Sequence, residues 1–375
     1  MTARFDICVL GGGLAGSAFA ILMARRGAHV ALIEKTRFEL FRAGEHLSPG
    51  ARGALRALGC EVAPFDGSFI DSPGILSRWV AQAAVFKPYI GHPEGFGLNL
   101  SRRHFDEALF RQAGRSGVTT YRGAGLVETE RAKHGWTLSF PSGNARVELR
   151  ARRVADATGR ISVLARRQGA KWQSFGDLIA TVGRLRPIRD GPAHNLCLNV
   201  EACEHGWWSV TPTLRDIIAT FYTSAATKRA IDLDEREWWQ WGLETAPAVR
   251  ERLARTAAAV EEVLTFPAFP RLLRKMHGRD WFAVGDAAAA HDPLSGHGII
   301  YALESAFRAA EMASADLPLE RLGPLYEEAI TGRFARHIDN RAGAYAEAAG
   351  RFPGSSFWRN MAAPRTVEAP GLSAH

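Results

Sequence analysis

Apolar positions fall in short runs separated by helical stretches at the two ends of the chain, and alternate with polar ones in the middle. Residues 5–10 form an apolar run, residues 15–26 a helical stretch ended by Gly27, and residues 29–34 a second apolar run rich in strand formers. That order predicts a β-α-β unit. From about 37 to 100 the pattern is broken by Gly and Pro, with one clear helix near 51–58, and a second helix is predicted over 103–117. Strands follow around Thr119, Trp136 and Val147 and close on 153–156. From about 161 to 275 the texture changes to alternating strands, such as 196–200 and 217–221, followed by a Trp-rich helix over 235–257. A strand at 281–284, a helix from Gly298 to about Ser314 and a long polar helix over 325–349 complete the pattern, and the last dozen residues read as loose.

Composition narrows the class. With 375 residues and 46% hydrophobic content the chain can bury a large core, and two interleaved domains are expected. Cys8, Cys60, Cys197 and Cys203 form no CxxC pair, which points to unbridged thiols in a reduced compartment and to no metal site. The first strand follows Met1 too closely for a secretion signal, and no run of 18 uncharged apolar residues offers a transmembrane segment, so a cytoplasmic protein is expected. A net charge of +8 suits attraction of an anionic cofactor or an acidic protein partner. The basic residues come in ones and twos (Arg152 and Arg153, Arg166 and Arg167, Arg274 and Lys275), unlike a nucleic-acid surface.

Two segments carry cofactor chemistry. Gly11-Gly12-Gly13-Leu14-Ala15-Gly16 has GxGxxG spacing between a strand and a helix: Gly11 makes the turn, Gly13 lets backbone approach a pyrophosphate, and Gly16 lets helix and strand pack closely. The helix start at Leu14 and Ala15 offers free N–H groups to phosphate. Glu34, at the end of the second strand and followed by Lys35, stands where a carboxylate takes the hydroxyls of an adenosine ribose. The second segment is Val284-Gly285-Asp286, six residues before Asp292-Pro293-Leu294-Ser295-Gly296-His297-Gly298-Ile299. Asp286 can hold ribityl hydroxyls, while the loop with Pro293, Gly296, Gly298 and Ile299 feeds backbone N–H groups toward the electron-rich end of an isoalloxazine.

These ordered motifs resemble the FAD-dependent family that contains aromatic-ring hydroxylases, geranylgeranyl reductases and tryptophan halogenases. The resemblance implies an α/β fold: a Rossmann-type FAD-binding domain made discontinuously from 1–160 and 276–350, an inserted, mainly antiparallel β-sheet substrate domain over 161–275, and a C-terminal tail over 351–375. It also implies roles for ordinary-looking segments. Arg42-Ala43-Gly44-Glu45-His46-Leu47-Ser48-Pro49 is similar to the family's GE-x-L-x-P stretch beside the flavin, which brings in Arg42, Glu45 and His46. Arg102 precedes Phe-Asp as a family FAD contact does. Leu126 and Val127 match a backbone contact to adenine, and Asp156-Ala157-Thr158-Gly159 resembles the family's D-A-T-G turn.

The flavin carries the redox work, so the choice of reaction rests on the rest of the site. Tryptophan halogenases hand hypohalous acid to a lysine and have a W-x-W-x-I-P segment. Here Trp239-Gln240-Trp241 lacks the Ile-Pro, and the lysine that comes into question is Lys87. Gly206-Trp207-Trp208-Ser209-Val210-Thr211-Pro212 resembles the G-W-W-x-x-x-P edge of flavoproteins that oxidise a tryptophan of a partner protein during tryptophylquinone assembly. The resemblance implies a monooxygenase using FAD, O₂ and NAD(P)H or another external reductant on a tryptophan side chain of a protein or peptide. Trp207 and Trp208 can supply stacking faces or be core residues. His291 and His297 can transfer protons or simply fill the loop. A small-molecule aromatic hydroxylase, a prenyl-chain reductase, a halogenase and a non-enzymatic FAD-fold carrier or chaperone remain open alternatives.

Overall fold

The computed structural model describes residues 2–60, 68–125, 127–143, 145–188 and 195–367. Its first seven-stranded sheet runs Thr119–Arg122, Val30–Glu34, Ala3–Leu10, Ala145–Asp156, Gly135–Ser142, Glu128–Ala132, with Trp281–Ala283 added beside the end of Ala145–Asp156. The centre of this sheet is parallel, and a hairpin over Glu128–Ala132 and Gly135–Ser142 closes one edge. Parallel strands buried on both faces need continuous apolar runs, as in Val30–Glu34, every residue of which is buried. The helices Leu14–Arg25, Arg102–Arg115 and Gly298–Ser314 pack with it into one core.

A second seven-stranded sheet runs Ala257–Pro267, Leu178–Pro187, Ile217–Ser224, Gly206–Pro212, Leu198–Cys203, Gly74–Arg78, Val85–Pro88. It is antiparallel apart from the pair Leu198–Cys203 and Gly74–Arg78. Two of its strands therefore come from outside the 161–275 segment; they are short and bracketed by Pro73 and Pro88, which hid them in the sequence. One face packs on the helices Glu235–Glu244 and Pro247–Thr256 around Trp208, Phe221, Trp238 and Trp239. The other carries Ala180, Val182, Ile218, Tyr222 and Phe266.

Three boundaries move from their expected places. The helix expected over 235–257 breaks before Pro247, which opens a second helix at its first position, where a missing N–H costs nothing. The long helix begins at Leu319 and contains Pro324 near its start. The expected tail contains the helix Ser356–Ala362, which buries Phe357, Trp358 and Met361, with the Trp358 indole N–H donating to the Cys203 carbonyl at 2.9 Å. All four cysteines are buried free thiols, and among the described residues no helix is long and apolar enough to cross a membrane and no metal-binding cluster occurs.

Candidate functional site

The glycine turn is dictated by sterics. At Gly11 (φ +101°) a Cβ would lie 2.3 Å from the Ala157 carbonyl oxygen, and at Gly16 one would lie 1.9 Å from the Gly11 carbonyl oxygen. At Gly13 the nearest atom to an added Cβ is Arg42 Nη1 at 3.7 Å, so the backbone there borders open space at a helix N-terminus. First-turn N–H groups at Leu14 and Ala15 have no carbonyl within the helix to bond. Glu34 closes the far side: its Oε2 accepts from the Gly12 N–H at 2.8 Å, and its Oε1 from the Thr36 N–H and hydroxyl at 2.9 and 2.6 Å. Arg42 bridges Glu34 (3.2 Å) and Asp106 (2.9 Å), and Arg102 pairs with the same Asp106 while donating to the Ala43 carbonyl.

Asp286 faces this group from the turn Gly285–Ala287 that follows Trp281–Ala283. Burial pushes its carboxyl up, and Arg160, Arg102 and Arg271 pull it back toward ionisation. Three arginines thus act on the Asp286 carboxylate beside an open glycine cradle, and such guanidinium donors fit a pyrophosphate. Arg160 and Arg271 were not among the sequence candidates. Arg160 ends the D-A-T-G-R turn, a signal that was available. Arg271 arrives from the strand Arg271–Leu273, placed by pairing with Trp172–Ser174 and Ala289–Ala290, and no local pattern announces it. Replacing Asp286 with Ala is expected to weaken FAD binding by about 1–3 kcal/mol for each ribityl hydrogen bond lost. Titration of the flavin-stripped protein with FAD checks it, and unchanged affinity would remove Asp286 from the site.

Glu45 and the loop near residue 293 form the other end. Glu45 is buried with Oε1 unpartnered, and burial pushes its carboxyl up to about 7 against the pull of its own and the Gly44 backbone N–H groups and of Arg102. His46 is held by Asn99 Oδ1 (2.9 Å) and Tyr89 Oη (3.0 Å), and burial lowers its pKa, so it acts as a neutral clamp beside Glu45. The Pro293–Ser295 turn is capped by Asp292, whose Oδ1 accepts from the Leu294 N–H at 2.9 Å, and turns through Gly296 (φ +63°) into Gly298–Ser314. Gly296 and Gly298 are exposed, with nothing within 4 Å of an added Cβ at either, while Ile299 anchors the helix start in the core. Beneath the loop, Asp292 Oδ2 takes the Arg341 Nε–H at 2.6 Å, and Tyr345 Oη lies 3.3 Å from Oδ1 and accepts the Trp207 indole N–H at 3.1 Å.

Several expected site residues lie elsewhere. The Asp156 carboxylate is consumed by the Thr158 N–H and hydroxyl and the Ala165 N–H, so it staples its own turn together. His291 packs between Tyr301 (ring centroids 4.0 Å apart), Phe334 and His337, with its nitrogens buried and burial holding it neutral; it fills the contact between two helices. His297 is exposed at the cap of Gly298–Ser314. Adjacent strand residues point to opposite faces, so Trp208 belongs to the core under the helices, whereas Trp207 lies on the face toward Tyr345. Lys35 is exposed, the Val127 carbonyl accepts from Arg167, and Leu126 lies outside the described residues.

The sequence profile of the FAD binding domain family matches residues 4–315. A tryptophan 2-halogenase of Chondromyces crocatus is 25% identical over 354 residues, covering 88% of this chain and 66% of that protein, so the chain spans just under two thirds of its length. A putative FAD-dependent oxidoreductase, LodB, of Marinomonas mediterranea is 25% identical over 363 residues, covering 95% of this chain and 96% of that one. The solved structure of the peptidyl tryptophan dihydroxylase QhpG, essential for tryptophylquinone cofactor biogenesis, superposes with TM-score 0.76 at 24% identity, covering 100% of this chain and 82% of that one, a likeness of fold. Halogenases are prominent among the relatives and the solved structures alike.

Proposed function

Because this chain belongs to the FAD binding domain family, we propose that it is a flavin-dependent monooxygenase that adds oxygen to a tryptophan side chain presented by a protein or peptide. At the coarser level it is an FAD-dependent oxidoreductase of the halogenase and monooxygenase family. The observation that carries the finer reading is the wall opposite Glu45 and Asp292. There the second sheet carries half-buried Phe266, stacked on Phe41 (6.3 Å), and half-buried Tyr222, stacked on Trp207 (3.8 Å), packed against buried Ala180, Val182 and Ile218. Tyr222 feels the charges of both Glu45 and Asp292, so this aromatic face borders the ionisable end of the site. Such a wall suits a flat aromatic ring held by stacking.

Gly13, Arg42, Arg102, Arg160 and Arg271 would hold the pyrophosphate of FAD, Glu34 its ribose, Asp286 its ribityl chain, and the N–H groups of Gly298 and Ile299 its ring. Bound there, reduced flavin supplies two electrons to activate O₂, with NAD(P)H or another external donor restoring it. The protein's part is to hold the ring dry against the wall and to manage the proton.

Halogenation is the second reading, favoured by the prominence of halogenases among the relatives. The lysines support oxygenation instead. Of the six, Lys35, Lys87, Lys133, Lys171 and Lys275 are exposed and Lys228 is paired with Glu235 at 2.8 Å. In Trp207-Trp208-Ser209-Val210-Thr211-Pro212, moreover, Ser209 and Thr211 stand where the W-x-W-x-I-P segment has its second Trp and its Ile. Mass spectrometry of peptides carrying one tryptophan, incubated with the FAD-loaded protein, reductant, O₂ and chloride or bromide, tests the choice. Gain of oxygen on the tryptophan is expected. Halogen incorporation, or efficient hydroxylation of free tryptophan or a simple phenol, would overturn it, because remote contacts are expected to position a peptide-borne ring.

A further inference from the structure

We propose that Tyr345 is a positioning residue for the flavin: through its hydroxyl Trp207, a residue of the second sheet, holds the turn Pro293–Ser295 in place and so raises the reduction potential of bound FAD. This rests on the placement of FAD given above, in which the N–H groups of Gly298 and Ile299, just after the turn, face the ring. Much of the loop is held only by itself. Gly296 and Gly298 are exposed with open space around them. The Gly296 N–H bonds the Pro293 carbonyl at 2.9 Å and the Ser295 hydroxyl bonds the Asp292 carbonyl at 3.2 Å, both within the loop. Its polar anchor is Asp292, whose side chain is 0% exposed.

The Asp292 carboxylate is set from two sides. It takes the Leu294 N–H of the turn on Oδ1 at 2.9 Å. From the helix Leu319–Ala349 it takes the Arg341 Nε–H on Oδ2 at 2.6 Å and the Tyr345 hydroxyl, 3.3 Å from Oδ1 and 3.4 Å from Oδ2. That hydroxyl also accepts the Trp207 indole N–H at 3.1 Å, which leaves its own hydrogen for the carboxylate. A chain of bonds therefore runs from Trp207 through Tyr345 and Asp292 to the Leu294 N–H, and Trp207, Tyr345 and Asp292 are all buried, where each bond polarises the next.

Packing fixes where the hydroxyl stands. The Tyr345 ring meets Trp79, Phe357 and Trp358 at 6.0, 6.1 and 5.8 Å, with the Arg341 guanidinium 4.8 Å above it. Trp207 is paired in register with Tyr222 and stacked on it at 3.8 Å, so its N–H has the direction the strand Gly206–Pro212 imposes. Leu294 packs its side chain against the same aromatic cluster. The turn is thus gripped by both the backbone and the side chain of Leu294, and the grip on the backbone leads back to the second sheet. Reduction adds negative charge to the flavin ring at the end these loop N–H groups face. A turn held in register consequently stabilises reduced FAD more than oxidised FAD, and a loosened one lowers the potential.

The test is a titration of the flavin-stripped protein with oxidised FAD, joined to the reduction potential of the FAD-loaded protein. Tyr345→Phe keeps the ring and deletes the hydroxyl. It is expected to weaken reduced FAD about tenfold more than oxidised FAD, as loss of one hydrogen bond to a charged group would. For two electrons that tenfold preference is a potential lower by about 30 mV. Trp207→Phe should shift the potential the same way, and the double variant should match Tyr345→Phe alone, because the indole N–H acts through the hydroxyl already gone. Trp208→Phe deletes the neighbouring indole N–H, which serves the Gly242 carbonyl on the other face, and should keep the parent potential. A Tyr345→Phe potential equal to the parent's, shifts that add in the double variant, or an equal shift in Trp208→Phe would each overturn the proposal. Should Tyr345→Phe fail to fold, Trp207→Phe decides alone, and a parent-like potential there is equally fatal. Asp286→Ala in the same titration separates this idea from the FAD placement: if it loses affinity while Tyr345→Phe and Trp207→Phe keep the parent potential, the FAD site stands and the positioning role falls. A parent protein that takes up no FAD would sink both.

Discussion

Replacing Arg341 with Met is expected to cost the fold about 3–5 kcal/mol. Arg341 and Asp292 have side chains 1% and 0% exposed and meet at 2.6 Å, on the long helix Leu319–Ala349 and under the loop at the start of Gly298–Ser314. The guanidinium also donates to the Met361 carbonyl and lies over the Tyr345 ring, so it ties the C-terminal helix to the same point. Methionine keeps much of the arginine stem's volume but leaves the Asp292 carboxylate with the Leu294 N–H and Tyr345 alone, an uncompensated buried charge. Urea unfolding of the FAD-loaded proteins measures the loss as a lower midpoint. Asp292→Asn in the Arg341→Met background should recover part of it, because asparagine still caps the turn and carries no charge. A loss below about 1 kcal/mol would mean that water reaches the pair and screens it.

That pair also marks where sequence stops being informative. The glycine turn, Glu34, the Gly-Asp segment and the helix from Gly298 are legible because each is a local event, in which a strand end, a turn and a helix start sit within a few residues. Asp292 was legible as the start of a loop, but its partners Arg341 and Tyr345 are 49 and 53 residues away on a helix whose inner face no local pattern assigns. Arg160 and Arg271 meet Asp286 for the same non-local reason. The break at Pro247 was a local signal, outweighed by the run of tryptophans before it. His291 looked functional from its place beside Asp292-Pro293, yet its environment is set by Phe334 and His337, from another helix.

The adjacent tryptophans test how far the alternation of a strand decides function. Trp208 is fully buried, stacked on Phe221 at 5.1 Å and edge-on to Trp239 at 5.3 Å, with its indole N–H donating to the Gly242 carbonyl. Trp208→Ala should therefore cost about 3–5 kcal/mol by opening a cavity beneath two helices, while the molecules that stay folded should keep the parent's turnover, whatever that is on a peptide tryptophan. Trp207 is just as buried but backs the wall: it stacks on Tyr222 at 3.8 Å, meets Trp79 edge-on and donates to Tyr345. Removing it takes the support from behind Tyr222 and frees the hydroxyl that reaches Asp292, so Trp207→Ala should lose turnover beyond its loss of stability. Trp207→Phe separates the two contributions, because it keeps a ring behind Tyr222 and deletes the N–H. The measurement is turnover per folded, flavin-loaded molecule, with the folded fraction taken from near-ultraviolet circular dichroism and urea midpoints. If Trp208→Ala lowers that corrected turnover as much as Trp207→Ala does, the two faces of the sheet are not separate in function, and the wall at Tyr222 loses its claim to be where the substrate ring rests.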